Sequence, residues 1–590
     1  MRPACAVTPP SLLCVEIVVE VKTPLQNHSR SMRHYPTLPA LLLAVGVAAH
    51  LAFHLSLTVG VLDPAFNDAM HRFGPGCDFF SIFAAGVKAR LGESVYTIGG
   101  HVEQVPYAYA FRYAPVVAYT VGLVLSWFPA LTAYGVWLCL CELALLRNIR
   151  LTCELAHHGD TETRRETRGD CPRMTRTHAE LTSEEVRINP NEARAQLPAT
   201  SSSWRSWCLG GSIREVFSHP YSLAALWLLF SPYYLELYVG QFTFITASLV
   251  FWAYLSWSGK TAPASSSHSP TPPLPHSRWG DLSWAAAVLL KMMPLLYLPL
   301  AVICGRWKAV VSTVAVLAGT SWLYFQRFPA DWRVFTDTNA DPRPTWHAGN
   351  QGLMALLYAL SGEQVRTYLV YRNLAIALVG ALLLWLTFRA WRVAQEQGAR
   401  DQGPGGQTGS RHLLLLCAAA SAGYLLCYKD VWEHHYVLLL PPLVLMALRK
   451  ESPWLWLPPF LVSALPTLFA LYDVPGIGYN EDPQRYWVPS VSLLHHAWKP
   501  VAPLWLTLGI AISALRVHHG ITETRSGEGK SGNGLGPSIG QGSLPPAAPR
   551  VPRWLTTTFS LGLCVSAVSF LVIKASAAIR EQRAVTREVI

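Results

Sequence analysis

The stretch MRHYPTLPALLLAVGVAAHLAFHL, residues 32–55, decides the class of the chain, because a short basic lead runs into an apolar segment long enough to cross a bilayer. Similar apolar runs recur along the 590 residues, of which 51% are hydrophobic and 14% charged, with a mean hydropathy of +0.25. Soluble domains carry about 25% charged residues. The sequence therefore predicts an all-α polytopic membrane protein.

Hydropathy predicts about 12 to 13 transmembrane helices. The predicted spans are 37–62, 114–128, 130–148, 217–235, 241–258, 281–304, 308–325, 368–390, 412–428, 435–448, 454–472, 500–516 and 554–574. Met32 is the expected start of the protein, because residues 1–31 contain acids and lack a small-residue cleavage site. We expect residues 1–31 to be a non-native extension, 32–517 a membrane domain with polar insertions at 150–215, 259–280 and 391–411, 518–553 a flexible linker, and 554–590 a last span with a basic tail.

The formal net charge of +11 sits mainly in loops between apolar runs, which indicates a topology signal and not a nucleic-acid partner. A cytoplasmic N-terminus puts three loops outside, 63–113, 326–367 and 473–499, together with the segment KDVWEHH. If 114–128 only re-enters the membrane, the early helices change sides. The 12 cysteines form no ligand spacing, and the chain has no P-loop or dinucleotide fingerprint, so we expect no cofactor, no metal site and no nucleotide-sugar donor.

One acid, Asp78, lies between a Gly-Pro-Gly turn and an aromatic helix start in GPGCDFFSIFAAG, residues 74–86. One interpretation is a helix cap, since an aspartate before a helix satisfies free N–H groups. The other is a general base at the membrane surface that takes the proton of a sugar hydroxyl.

Two basic residues are candidate site residues. Lys291, in VLLKMMPLLYLP, lies inside a predicted span, where a charge is costly and points to function, although a lysine can also extend to the interface. Pro294 is expected to break that helix locally. Arg112, in YAFRYAP, either anchors a helix at the headgroups or binds phosphate in forked geometry.

Two pairs of polar neighbours complete the candidates. His434 and His435 point about 100° apart on a helix, so a shared metal is not expected, and one of them is expected to face a phosphate. Asn350 and Gln351 either cap a helix or bind sugar hydroxyls. Three nearby acids are predicted to be solvated: Asp331, Asp337 and Asp341.

Seven segments occur in an order that resembles glycosyltransferase family 87. They are CDFFSIFAAG, LGESVYT, FRYAP, SPYYLELYVGQFTFI, LLKMMPLLYLPLAVICGRWK, GNQGL and WEHHYVLLLPP, spread over about 40–470. The chain departs from the pattern at Gly352, where the family tends to have serine, and in the long insertion 150–215.

The resemblance implies a C-type membrane glycosyltransferase that uses a polyprenyl-phosphate-linked sugar, mannose above all, and a lipid or glycan acceptor. It implies that Asp78 is the catalytic base, that the active site faces outside the cytoplasm in a multi-pass protein of the plasma membrane, and that no metal takes part. The alternative from another class is a transporter or lipid flippase, which usually shows internal repeats.

Overall fold

The computed structural model describes residues 38–59, 75–97, 105, 110–169, 209–258, 277–345, 347–399, 406–467, 474 and 482–528. The predicted extension 1–31 and the predicted last span 554–574 lie outside the described residues, as do most of the insertions 150–215 and 259–280. Within the described residues the chain is helical, and its one bridge of β type joins Asn350 to Trp432.

Nineteen α-helices follow one another in the described residues. They are α1 Leu38–Val59, α2 Cys77–Leu91, α3 Pro115–Leu125 with a π-turn at Ala118–Gly122, α4 Ala130–Gly169, α5 Leu209–Ser218, α6 Pro220–Leu228, α7 Ser231–Val239, α8 Thr243–Ser258, α9 Ser277–Leu290, α10 Leu298–Ile303, α11 Trp307–Arg327, α12 Pro329–Ala340, α13 Leu353–Leu360, α14 Val365–Ala399, α15 Gly406–Cys427, α16 Leu440–Leu448, α17 Pro453–Ala464, α18 Pro489–Trp498 and α19 Val501–Glu528. Three 3₁₀ helices lie among them, Met293–Tyr297, Glu433–Leu439 and Pro483–Tyr486.

Four of the described helices are long and apolar enough to cross a membrane, or six if each bent pair counts as one span. The four are Leu38–Leu57, Ala130–His157, Trp307–Arg327 and Val365–Gln395, and the bent pairs are α6 with α7 and α18 with α19. Their leucines point outward, as Leu55, Leu323 and Leu384 do with 62–73% exposure. The protein is thus an all-α polytopic membrane protein, whereas the count of about 12 to 13 spans stays a prediction.

The helix α3 is too short to be the span predicted at 114–128. Its eleven residues extend about 16 Å, roughly half of the hydrocarbon thickness. The structure therefore favours the alternative in which this segment enters the membrane without crossing it alone.

Three helices continue into segments that the sequence predicted to be polar insertions or linkers. α4 runs to Gly169, α14 to Ala399 and α19 to Glu528. On α4, Arg150 Nε donates to Glu154 Oε1 at 2.8 Å, and such i,i+4 pairs support a helix in water. The helices extend past 150, 391 and 518 because charged residues with good helix propensity continue the apolar helices.

Two close backbone approaches position α2. A Cβ added to Gly86 would lie 1.9 Å from the carbonyl oxygen of Gly122, so α2 and α3 cross with their backbones in contact. At the other end, Gly240 has a φ of 74°, and a Cβ there would lie 2.5 Å from the Cβ of Phe79. The turn between α7 and α8 therefore packs directly on the first turn of α2.

Candidate active site

A cavity of about 780 Å³ lies where α2, α3, α7, the break after α9 and the Glu433–Leu439 helix meet. This volume is in the range of pockets that hold small ligands. Three segments that the sequence predicts on one side of the membrane contribute to it, 63–113, 326–367 and KDVWEHH. Six of the seven predicted site residues line it, namely Asp78, Arg112, Lys291, Gln351, His434 and His435.

Asp78 is presented by a turn that is anchored to another part of the chain. Gly76 takes the N-cap position of α2 with a φ of 75°, and its N–H donates to the carbonyl of Tyr238 at 2.7 Å. The helix begins at Cys77, so Asp78 is its second residue and not its cap. The interpretation of Asp78 as a helix cap is therefore wrong.

The carboxylate of Asp78 opens into the cavity and accepts a hydrogen bond from the side chain of Gln241. Tyr113 donates its hydroxyl to Gln241 Oε1 at 2.7 Å, which leaves the amide nitrogen of Gln241 to face the carboxylate. Burial raises the pKa of Asp78 above its ordinary value, and the Gln241 hydrogen bond and the charges of Lys291 and Arg112 oppose that rise.

Lys291 lies at the break between α9 and the 3₁₀ helix Met293–Tyr297, where Pro294 interrupts the α-helical pattern as predicted. Its ammonium donates to Thr243 Oγ1 at 2.8 Å, at the first residue of α8. It also interacts with the charge of Glu236. The side chain therefore points into the protein, where it lines the cavity, and not outward along the helix.

Arg112 is the second cation of the cavity wall and lies just before α3. Its side chain is exposed, and no described residue hydrogen-bonds its guanidinium, although its charge acts on Asp78 and Tyr428. A planar guanidinium with free donors is suited to an anionic ligand.

Both histidines of the predicted pair line the cavity, so the expectation that only one would face it is wrong. The rings of His434 and His435 lie 4.3 Å apart at the start of the 3₁₀ helix Glu433–Leu439, although neighbours on such a helix point about 120° apart. His435 Nδ1 accepts from the N–H of Trp432 at 3.0 Å. His434 Nε2 is buried, and it has no hydrogen-bond partner in the described part of the chain.

Asn350 lies behind the cavity wall and is fully buried. Its Oδ1 accepts from the N–H of Val431 at 3.1 Å and its Nδ2 donates to the carbonyl of Lys429 at 2.9 Å. Gln351 does line the cavity, where its Oε1 accepts from the hydroxyl of Thr467 at 3.2 Å. Asn350 thus holds the Lys429–Val431 segment in place. Gln351 presents an amide to the cavity.

Sequence reasoning missed Gln241 and Glu236, and it misjudged Asp331. Glu236 is fully buried, and its Oε1 accepts from the N–H of Phe244 at 2.8 Å, so it holds the first turn of α8 beside Lys291. Asp331 was predicted to be solvated, but it is only 7% exposed and accepts from the Ser94 hydroxyl at 2.7 Å and from Tyr324. The one feature of the sequence that points toward Gln241 is its position directly after Gly240 in the turn.

The sequence model described as glycosyltransferase family 87 matches residues 111–403, close to half of the chain. The matched range includes Arg112, Gln241 and Lys291, whereas Asp78 and the two histidines lie beyond its ends. No curated protein and no solved structure matched the chain.

Proposed function

Because the chain belongs to glycosyltransferase family 87 and is a membrane glycosyltransferase, we propose that it moves a hexose, mannose first among the candidates, from a polyprenyl-phosphate donor to a lipid or glycan acceptor. The observation that carries the proposal is the cavity in which the charges of two cations, Lys291 and Arg112, act on the carboxylate of Asp78; Lys429, Asp430 and Glu433 also line it.

In this proposal Asp78 is the general base. The acceptor hydroxyl attacks C1 of the sugar, its proton passes to the carboxylate of Asp78, and the bond between C1 and the phosphate oxygen breaks. The Gln241 amide supports this role, because it holds the carboxylate in place and favours its ionised form. Attack opposite to the leaving group inverts the anomeric centre, so a β-linked donor gives an α-linked product.

The departing polyprenyl phosphate needs positive charge and hydrogen-bond donors more than it needs an acid, since a phosphate is already a good leaving group. Lys291 and Arg112 supply the charge from two sides of the cavity. His434 adds a ring nitrogen that has no partner among the described residues. We assign Gln351 to a sugar hydroxyl, because its side chain lines the same cavity.

A lipid-linked donor fits the apolar part of the same cavity wall. Around Lys291 the lining residues are hydrophobic, namely Leu289, Leu290, Met292, Met293, Leu295 and Leu296. Met292 and Leu296 are about 40% exposed on this flank. A polyprenyl chain next to the phosphate would cover them.

We assign the active site to the extracytoplasmic side of the plasma membrane, because two of the segments that line the cavity, 326–367 and KDVWEHH, belong to later loops that are predicted outside. The donor class is tested with purified protein in liposomes that receive either labelled polyprenyl-phosphate-mannose or labelled GDP-mannose with the same acceptor lipids. We expect labelled product only from the lipid-linked donor, with an α linkage by NMR. Product from GDP-mannose alone would overturn the donor assignment, and movement of the intact donor across the bilayer without transfer would favour the flippase alternative.

A further inference from the structure

Three ionisable side chains meet on two candidate membrane spans, and none of them lines the active-site cavity. His50 and His54 lie one turn apart on α1 and face Glu142 of α4. His50 Nε2 is 3.2 Å from Glu142 Oε2, and His54 Nε2 is 3.1 Å from Glu142 Oε1. One donor atom from each of the three residues lies within 4.8 Å of the other two.

The hydrogen bonds around His50 leave a cation missing from this cluster. The hydroxyl of Tyr234 donates to the carbonyl of Leu228 at 2.6 Å, so its oxygen is left to accept from His50 Nδ1, 3.4 Å away. With Nδ1 directed at that oxygen, Nε2 of His50 points at the Glu142 carboxylate, 3.2 Å away. A cation between the two would bind both atoms.

We propose that His50, His54 and Glu142 bind a divalent transition-metal ion, with Zn²⁺ as the best match. Two histidines at i,i+4 on one helix and a carboxylate from another are a ligand set that Zn²⁺ favours, with a fourth position left for water. Bonds of about 2.0–2.1 Å in a tetrahedron put neighbouring ligand atoms about 3.3 Å apart. The two histidine-to-carboxylate distances have nearly that value, each to a different oxygen of Glu142, and the three ligand atoms lie within 4.8 Å of one another.

The residues around the cluster orient its ligands as the outer groups of metal sites do. The Tyr234 oxygen fixes His50 in the tautomer that leaves Nε2 for a metal. Tyr233 donates its hydroxyl to Glu142 Oε1 at 2.7 Å, which holds the carboxylate toward α1.

The position of the cluster in the membrane adds a physical reason for the ion. Leu38–Leu57 and Ala130–His157 are both candidate spans, and an unpaired carboxylate in such a segment is costly. One ion shared by three side chains satisfies all of them and joins α1 to α4. This inference is independent of the proposed function, since it concerns other residues and its test measures no sugar transfer.

The first experiment uses the full-length wild type in detergent, treated with chelator, loaded with Zn²⁺ and washed. We expect about one zinc per chain by plasma mass spectrometry, and with Co²⁺ instead we expect the visible absorption of a four-coordinate ion. A folded wild type that keeps no zinc and shows no such spectrum would overturn the proposal. In that case a protonated His50 and Glu142 form an ion pair instead.

Variants locate the metal. His54→Gln and Glu142→Gln are expected to lose at least nine tenths of the zinc, and Tyr234→Phe to bind it about 10-fold more weakly. His219→Gln is the matched control, because His219 caps α6 outside the cluster, and Asp78→Asn is the control for the active site. Both controls keep their zinc. If His54→Gln and Glu142→Gln bind as much zinc as the two controls, the site is contradicted. Tyr234→Phe provides the readout should the ligand variants not fold.

Discussion

The side-chain amide of Gln241 hydrogen-bonds the carboxylate of Asp78, although the two residues belong to segments far apart in the sequence. Tyr113 fixes the direction of that amide by donating to its oxygen at 2.7 Å. The contact exists because the turn at Gly240 packs against Phe79, one residue after Asp78. A residue of the turn between α7 and α8, Gln241, therefore favours the ionised form of the proposed base.

The pH dependence of transfer should follow the pKa of Asp78. Burial raises this pKa, and a base works only when it is ionised, so the rate falls as the pH drops through the raised pKa. Gln241→Leu removes a hydrogen bond that lowers the pKa, so the acidic limb of kcat/KM should move to higher pH. Tyr113→Phe should move it in the same direction by less. A limb that stays in place or moves down in Gln241→Leu would contradict this account.

Lys291→Met should lower kcat by about 100-fold or more with normal expression, because it removes one charge that stabilises the departing phosphate. The matched control is Thr243→Val, which removes only the hydrogen-bond partner of the ammonium and should cost about 10-fold at most. Transfer rates at saturating donor measure both. An undiminished rate in Lys291→Met would leave this lysine with a structural role.

The two neighbouring histidines should give unequal losses. His434→Gln should reduce transfer by about 10-fold or more without lowering the melting temperature, since its Nε2 has no described partner. His435→Gln should cost about 1 kcal/mol of stability, because its Nδ1 accepts the N–H of Trp432 at the start of the 3₁₀ helix. Thermal melts and transfer assays separate the two effects, and equal, small effects on transfer would remove both residues from the mechanism.

The crossing of α2 and α3 should not tolerate a side chain. Gly86→Ala should destabilise the protein by about 3 kcal/mol or more, since the new Cβ would lie 1.9 Å from the backbone of Gly122. Gly319→Ala on α11 is the control, because no heavy atom lies within 4 Å of a Cβ there, and it should stabilise the helix by about 0.5–1 kcal/mol. Melting temperatures in detergent measure the difference, and similar values for both variants would contradict the close crossing.

Much of the fold could be predicted because apolar runs report membrane helices directly. The long helices at Leu38–Val59 and Trp307–Arg327 lie where hydropathy put them. The helix ends in the insertions could not be predicted, because ion pairs such as Arg150–Glu154 continue a helix after its apolar run has ended. The segment 114–128 has the composition of a membrane span. Composition does not show where packing ends a helix, so the short length of α3 could not be predicted.

The site residues that carry an unusual local signal could be picked from the sequence, such as an acid after a tight turn or a lysine within a span. Gln241 could not, because its contact with Asp78 depends on packing between distant segments. Asp331 was misjudged for the same reason, since Ser94 is 237 residues away in the chain and Tyr324 lies on the preceding helix, α11. The crowding around Gly352 also depends on tertiary packing, since a Cβ there would lie 2.9 Å from the Cβ of Val431.

The most direct test of the central claim is sugar transfer from labelled polyprenyl-phosphate-mannose by membranes that carry wild type or Asp78→Asn at equal abundance. We predict transfer in the wild type and a loss of about 100-fold or more in the variant. The variant should melt no lower than wild type, because the raised pKa means that the ionised carboxylate costs stability at neutral pH, a cost that asparagine removes. Transfer that persists in Asp78→Asn at the wild-type rate would contradict the assignment of Asp78 as the base.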